Sequence, residues 1–283
     1  MSVNSGSGAG PEARALAKGL RDLRESRKLT TRALADASGQ SSANVSHWES
    51  GNRLPSEERL QRVLDALDAP EDERERLLGL RRRLAEGPGQ LVAGAPSIGA
   101  QLVQLIEYEQ VATRLVDVEP LVIPGLLQTA DYARATFAGL SDVDTRVALR
   151  MGRRDVITRV RQPAELVAYI DTEVLVRPVG TPDVMVDQMR HLLEMGQRPN
   201  VQIRLVSSTT RGYTPMQAGA FLLMEFPAAP PVVHVEQYST AAWVWDEQSV
   251  RGFYTAVEKI DKIAMTPARS AEVIAEYVNG MEP

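Results

Sequence analysis

Cysteine is absent from the 283 residues. That excludes disulfides, a thiol nucleophile and any zinc site built on thiolates. Histidine is nearly absent: His47, His191 and His234 are the three present, and none is close to another in sequence. A histidine-based metal site is therefore not expected, and no cofactor is implied. No run of roughly eighteen consecutive apolar residues occurs, so neither a transmembrane helix nor a membrane partner is expected. The first eleven residues are small and polar, without the charged start and apolar centre of a signal peptide, and read as a disordered tail over 1–11. No glycine-rich phosphate loop appears, and the serines lack a nucleophile-elbow context, so an enzyme is not expected. Together these absences point to the reducing cytoplasm, and to the nucleoid if the partner is DNA.

What is present suits a soluble chain of two domains. The apolar fraction of 43% is enough for a real core. The net charge of -5 is unevenly spread. Residues 1–67 hold ten Lys and Arg against eight Asp and Glu, or +2, and the remainder holds 22 against 29, or -7. A mildly positive end on an acidic bulk fits a small nucleic-acid reader joined to a larger domain with another task.

Helical periodicity dominates the first part. Leu16, Leu20 and Leu23 give a helix over 12–27. Thr30 caps a second helix to about Ala37, with Ala33, Leu34 and Ala37 inward, and Gly39 lies in the turn that follows. Ser41 caps a third helix to Glu49, with Val45 and Trp48 inward and Gly51 as a left-handed stop. A fourth follows Pro55 and Ser56 with Leu60, Val63, Leu64 and Leu67 as its buried stripe. A fifth starts on acids at 71–73 and ends on arginines at 81–83, as the helix dipole prefers. The domains are thus read as 12–86, an all-α five-helix domain; 87–97, a Gly/Pro/Ala linker; and 98–283.

Two short helices joined at Gly39 form a helix-turn-helix plan. With Val45 and Trp48 turned inward, the third helix leaves Ser41, Ser42, Ala43, Asn44, Ser46 and His47 outward. This short polar face can enter a major groove, where serine, asparagine and histidine bond base edges. The run Leu29-Thr30-Thr31, then Val45-Ser46-His47-Trp48-Glu49-Ser50-Gly51 and Pro55, resembles the Cro/repressor-type helix-turn-helix regulators, the xenobiotic-response-element family. It departs from the family pattern at Thr31, where glutamine is common, and at Gln40, where an apolar residue usually stands. The resemblance covers 14–68 and implies that Ser42, Ala43 and His47 face bases, with Asn44 beside them. It implies that Thr31, Arg32, Ser41, Ser46 and Arg53 approach phosphates, and that Arg24 pairs with Glu49 in a buried ion pair. A charge of only +2 gives little non-specific attraction, so the expected partner is a pseudo-palindromic operator in double-stranded DNA, bound by a homodimer.

Beyond 97 the pattern mixes periods. Helices are expected over 99–114, 124–138, 142–161, 181–195, 249–263 and 268–278, with strands over 165–170, 201–206, 220–226, 232–237 and 241–245. This is an α+β domain with a mixed or antiparallel sheet. Pro124-Gly125-Leu126-Leu127-Gln128-Thr129, followed by Tyr132-Ala133, resembles the signature of a large family of actinomycete regulators. Their C-terminal domain long carried only a domain-of-unknown-function number and is described as antitoxin-like. Asp171-Thr172-Glu173, Pro199-Asn200-Val201 and the run 232–236 extend that match. The resemblance implies a regulator controlled by an effector, or by a small partner protein often encoded beside it. Phe221, Tyr238, Trp243 and Trp245 concentrate the aromatics of a chain that is only 5% aromatic. They are read as lining a pocket for an apolar small molecule or a groove for that partner. Asp171 and Glu173 read as a turn and cap, and His234 as a satisfied core residue.

Overall fold

The computed structural model describes residues 11–86, 100–236 and 241–281. The chain divides into two compact units: the first takes the described residues up to Glu86 with Ala228–Pro230, and the second takes the described residues from Ala100 onward apart from those three. The linker expected at 87–97 and the tail at 1–11 lie outside the described residues, except Pro11, which opens the first helix.

The first unit holds α1 (Pro11–Ser26), α2 (Thr31–Ser38), α3 (Ser42–Glu49), α4 (Glu57–Ala66) and α5 (Glu71–Glu86). Hydroxyl caps start three of them. Thr30 accepts from the Ala33 N–H at 3.1 Å, Ser41 from Asn44 at 3.2 Å and Ser56 from Arg59 at 3.3 Å. Each such cap satisfies an N–H that has no partner within its helix, worth about 1 kcal/mol. Gly39 ends α2 at φ 65°, a left-handed conformation that a Cβ would penalise, and this sets the short turn into α3. Leu16, Leu20, Leu34, Val45, Trp48, Leu60, Leu64 and Leu77 close one core. At Gly19 of α1 a Cβ would lie 2.6 Å from Leu77 Cδ2, so α1 and α5 pack closely only because that side chain is missing. Ala37, expected inward, is exposed. Ser38 takes the buried place one turn from Leu34, and its hydroxyl donates to the Leu34 carbonyl at 2.6 Å. Helix α5 continues past the expected arginine stop to Glu86.

The second unit contains α6 (Ala100–Val111), β1 (Arg114–Glu119), a 3₁₀ turn (Gly125–Leu127), α7 (Ala130–Thr136), α8 (Val143–Arg153), α9 (Asp155–Thr158), β2 (Glu165–Asp171), α10 (Glu173–Val176), α11 (Pro182–Met195), β3 (Val201–Val206), a second 3₁₀ turn (Pro215–Ala218), β4 (Phe221–Glu225), β5 (Val232–Glu236), β6 (Ala241–Val244), α12 (Glu247–Asp261) and α13 (Pro267–Met281). Among the described residues the strands form one mixed sheet of order β3-β2-β1-β4-β5-β6. β1, β2 and β3 are parallel; β4, β5 and β6 join antiparallel. One face packs Leu115, Leu166, Ile203 and Met224 against α6, α11 and α13. The other packs Val116, Val167, Leu223 and Val233 against Val250 and Ile260 of α12.

Three expectations are corrected. Residues 114–119 form β1, the strand that joins the parallel half of the sheet to the antiparallel half, whereas helix was expected to reach 114 and no strand was expected here. Its acids at 117 and 119 hide a strand that is otherwise buried on both faces. Residues 124–138 are not one helix: the 3₁₀ turn stops at Leu127, and Thr129 caps α7 by accepting from the Tyr132 N–H. Gln128 holds the break, donating to the Ile123 carbonyl at 2.8 Å. Residues 142–161 likewise split into α8 and α9.

Candidate nucleic-acid interface

Helix α3 is fixed from behind. Val45 and Trp48, three residues apart, lie in the core at 1% and 3% exposure. Glu49 ends the helix and is buried at 7% exposure. Arg24 of α1 grips both its oxygens, Nε to Oε1 at 2.7 Å and Nη2 to Oε2 at 2.9 Å, and its third nitrogen donates to the Leu29 carbonyl at 2.9 Å. Arg21 adds a bond to the Glu49 carbonyl at 2.6 Å. The hydrogen bond to Glu49 raises the Arg24 pKa above its ordinary value, and burial only partly opposes this. A two-pronged guanidinium–carboxylate pair fixes orientation as well as distance, so the first and third helices are locked in angle.

The residues expected to meet DNA fall on the opposite side. Ser41, Ser42, Ala43, Ser46 and His47 are exposed, and Asn44 is half-buried beside them. Thr31 is half-buried at the start of α2, and Arg32 is exposed next to it. Arg53 is exposed in the turn after Gly51, whose φ of 73° bends the chain away from α3. No long charged side chain of α3 stands between this face and a groove.

Of the four aromatics read as a pocket, the three that are described are not brought together, and of these Phe221 alone borders the cavity described below. Phe221 lies on the α12 face of the sheet, its ring 5.0 Å from Phe253. Trp243 lies on the other face, 4.7 Å from Tyr108 and 4.5 Å from His234. Trp245 follows the end of β6 and is exposed. Tyr238 lies outside the described residues. Asp171 accepts the Glu173 N–H at 2.8 Å and so caps α10.

A charged cavity that sequence reasoning missed lies on the α6 face. It measures about 60 Å³ and is bordered by Asp117 and Glu119 of β1, His234 and Glu236 of β5, and Arg150 and Arg153 of α8. Arg153 is committed to Glu109 by two bonds of 2.8 and 2.7 Å, both partners being almost fully buried. Burial alone would lower the Arg153 pKa, but the Glu109 charge and hydrogen bond outweigh it and hold it above the ordinary value. Arg150 donates to Gln128 Oε1 at 3.0 Å and lies over the Phe137 ring at 5.0 Å. It reaches this place past Gly125, where a Cβ would stand 3.0 Å from its Nη1. Burial brings Arg150 down to about 10, with the neighbouring Arg153 charge adding to the effect. Burial pushes Asp117 up to about 7, helped by the Glu109 carboxylate, and raises Glu119 well above the usual carboxylate range, helped by Asp117. Burial lowers His234 below its ordinary value, against the pull of Glu236.

The helix-turn-helix geometry of the first unit, with its exposed α3 face, defines a DNA-binding transcription regulator. A helix-turn-helix domain family matches residues 15–77, covering all of that geometry. The chain belongs to the DUF5753 family, a domain of unknown function, which matches residues 102–276. Two crystal structures of the clp gene regulator ClgR, described as from C. glutamicum and Corynebacterium glutamicum, are similar to short parts of it. One is 35% identical, covering 24% of this chain and 90% of that one, with a TM-score of 0.22. The second is 33% identical, covering 26% and 81%, with a TM-score of 0.22. No curated protein matches the chain. Among the described residues, no helix is long and apolar enough to cross a membrane.

Proposed function

We propose that this regulator reads a specific operator in double-stranded DNA through α3, as a homodimer, and that its second unit sets operator affinity in response to a small molecule. The observation that carries the reading is the α3 face, polar and outward over Ser42, Ala43 and His47, on a helix whose back is pinned by Trp48 and the Arg24–Glu49 pair. Such a face fits the major groove, where base edges differ between pairs. Ser42, Ala43 and His47 read bases with Asn44 beside them. Thr31, Arg32, Ser41, Ser46 and Arg53 position the helix on the phosphates and carry no sequence information themselves. With a chain charge of -5, one such unit gains little from the general field of DNA. Two copies on a pseudo-palindrome, with half-sites about one helical turn apart or a multiple of it, supply the missing affinity.

A small-molecule effector is favoured over a partner protein by the small, partly open cavity of the second unit. An effector must bind one state of the dimer better than another, because equal affinity for both shifts nothing. The test is a gel shift on the gene's own upstream DNA with the full chain and with the double variant S42A/H47A. Retarded, competable binding lost in the variant supports the reading. Unchanged affinity in the variant, or a monomer on the operator in sedimentation, overturns its corresponding part.

A further inference from the structure

We propose that the cavity of the second unit binds a small organic cation, an alkyl ammonium or guanidinium, with Asp117, Glu119 and Glu236 as its acceptors. The site rests on the sensor reading above for its meaning, though not for its chemistry.

The strand registers build the floor. Asp117 of β1 pairs with Leu222 of β4, which pairs with His234 of β5. Continuing both registers by two residues sets Ala220 between Glu119 and Glu236. One small residue thus leaves open space between two carboxylates, and Ala220 itself borders the cavity. The three acids sit at graded depth: Glu236 is exposed, Glu119 is half-buried and Asp117 is 7% exposed.

Asp117 is the informative member. Among the described residues, no hydrogen bond or ion pair holds its side chain, and it borders the cavity beside Arg150 and Arg153. A buried carboxylate without a donor is costly, and such groups are normally satisfied. Of the two arginines at the cavity, Arg153 is paired with Glu109, and Arg150 donates to the neutral Gln128 amide and covers Phe137, leaving three acids against one unpaired guanidinium. Three acids therefore surround a space in which, among the described residues, Arg150 is the one lining cation without a carboxylate hydrogen-bonded to it. An anion would meet three acidic side chains there against the one unpaired guanidinium of Arg150. A bare metal ion is disfavoured by arrangement, since no group of three or more side chains among the described residues is set to hold one. A ligand presenting several N–H donors in different directions matches the acceptors. Rings of Tyr108 and Trp243 packed behind His234 keep that wall rigid.

The test is isothermal titration calorimetry of agmatine and putrescine into the full-length protein, with sodium chloride at equal ionic strength and glutarate as controls. One saturable site per chain for at least one of the amines is expected. Its affinity should fall at least tenfold in D117N and in E236Q, the latter altering an exposed side chain that leaves the fold intact. The assignment is overturned if neither amine binds beyond the salt control, if E236Q and D117N bind undiminished, or if glutarate takes the site instead. Operator affinity is measured in the same samples. An amine that binds without changing it upholds this site and sinks the sensor reading. A different molecule that changes it while neither amine binds does the reverse.

Discussion

In the first unit, Glu49 is covered on both oxygens by Arg24. In the second, Glu109 is covered in the same two-pronged way by Arg153, yet Asp117 lies close by without a donor, and Glu119 and Glu236 stand at the strand ends. Both pairs are bidentate. One closes its neighbourhood and the other leaves a surplus of acceptors. A completed pair serves as a bracket, since its worth is in fixing an angle and its desolvation cost offsets most of its attraction. An uncompleted set is poised for something to arrive. The contrast separates a rigid reading head from a unit with room for chemistry inside it.

The comparison can be broken most severely at Trp48. Trp48→Ala should destabilise the first unit by about 3–5 kcal/mol, the usual range for emptying a buried aromatic site. In a two-transition melt the first unit should lose its transition while the second keeps its own. A shift in both would show that the bracket is not local.

The second test is the pH response of the second unit. Asp117 is held near 7 in the fold against an ordinary value of 3.8. The folded chain therefore holds a proton that the unfolded chain releases between those values. Stability from this group is complete below about pH 4 and falls as pH rises towards 7. Asp117→Asn should remove that fall, so its gain over the natural residue should grow from pH 4 to pH 7, reaching a few kcal/mol at most. Urea unfolding at several pH values measures it. A variant offset that is the same at every pH would mean that Asp117 is already paired.

Smaller effects sharpen the reading head. Ser42→Ala and His47→Ala should each cost about 1–3 kcal/mol of discrimination between operator and mismatched DNA, with melting temperature unchanged. Competition titrations against single-base operator variants would show where each acts. Arg53→Ala should have the smallest effect: a uniform loss across sequences, with the slope of log affinity against log salt reduced by about 0.9. A sequence-dependent loss at Arg53 would move it from the phosphates to the bases.

Much of the first unit was legible because its signals are local. Caps at Thr30, Ser41 and Ser56 and the stripe Leu60, Val63, Leu64 and Leu67 need no partner to be recognised. Ser38 and not Ala37 turns inward, because helical phase outweighs apolarity there, and α5 runs on past the arginines at 81–83 to Glu86. In the second unit most strands showed their alternation, but β1 did not, because Asp117 and Glu119 occupy positions where a core strand normally shows apolar residues. Phe221 and Trp243 were grouped by composition. Their opposite faces follow from the registers of β4, β5 and β6, which the sequence does not display. The cavity was invisible for the same reason: its wall is drawn from α6, α8, β1, β4 and β5, and no window of the chain contains it. The signature at 124–129 was read as a family mark. Its physical content is a buried knot in which Gln188 donates to the Leu127 carbonyl at 2.8 Å and accepts the Thr129 N–H at 2.7 Å.

The position of β1 inside the sheet bears on how the protein is made. Its antiparallel neighbour β4 arrives late, and the Arg114–Glu225 contact spans 111 residues. Bonds across the first unit span far less, 28 residues from Arg21 to Glu49 and 40 from Arg27 to Leu67. Short loops close sooner than long ones, and domains generally fold in the order in which they leave the ribosome. The first unit can therefore be complete while the sheet that follows it in the chain still waits for β4, so a nascent chain can present its helix-turn-helix before its second unit has closed.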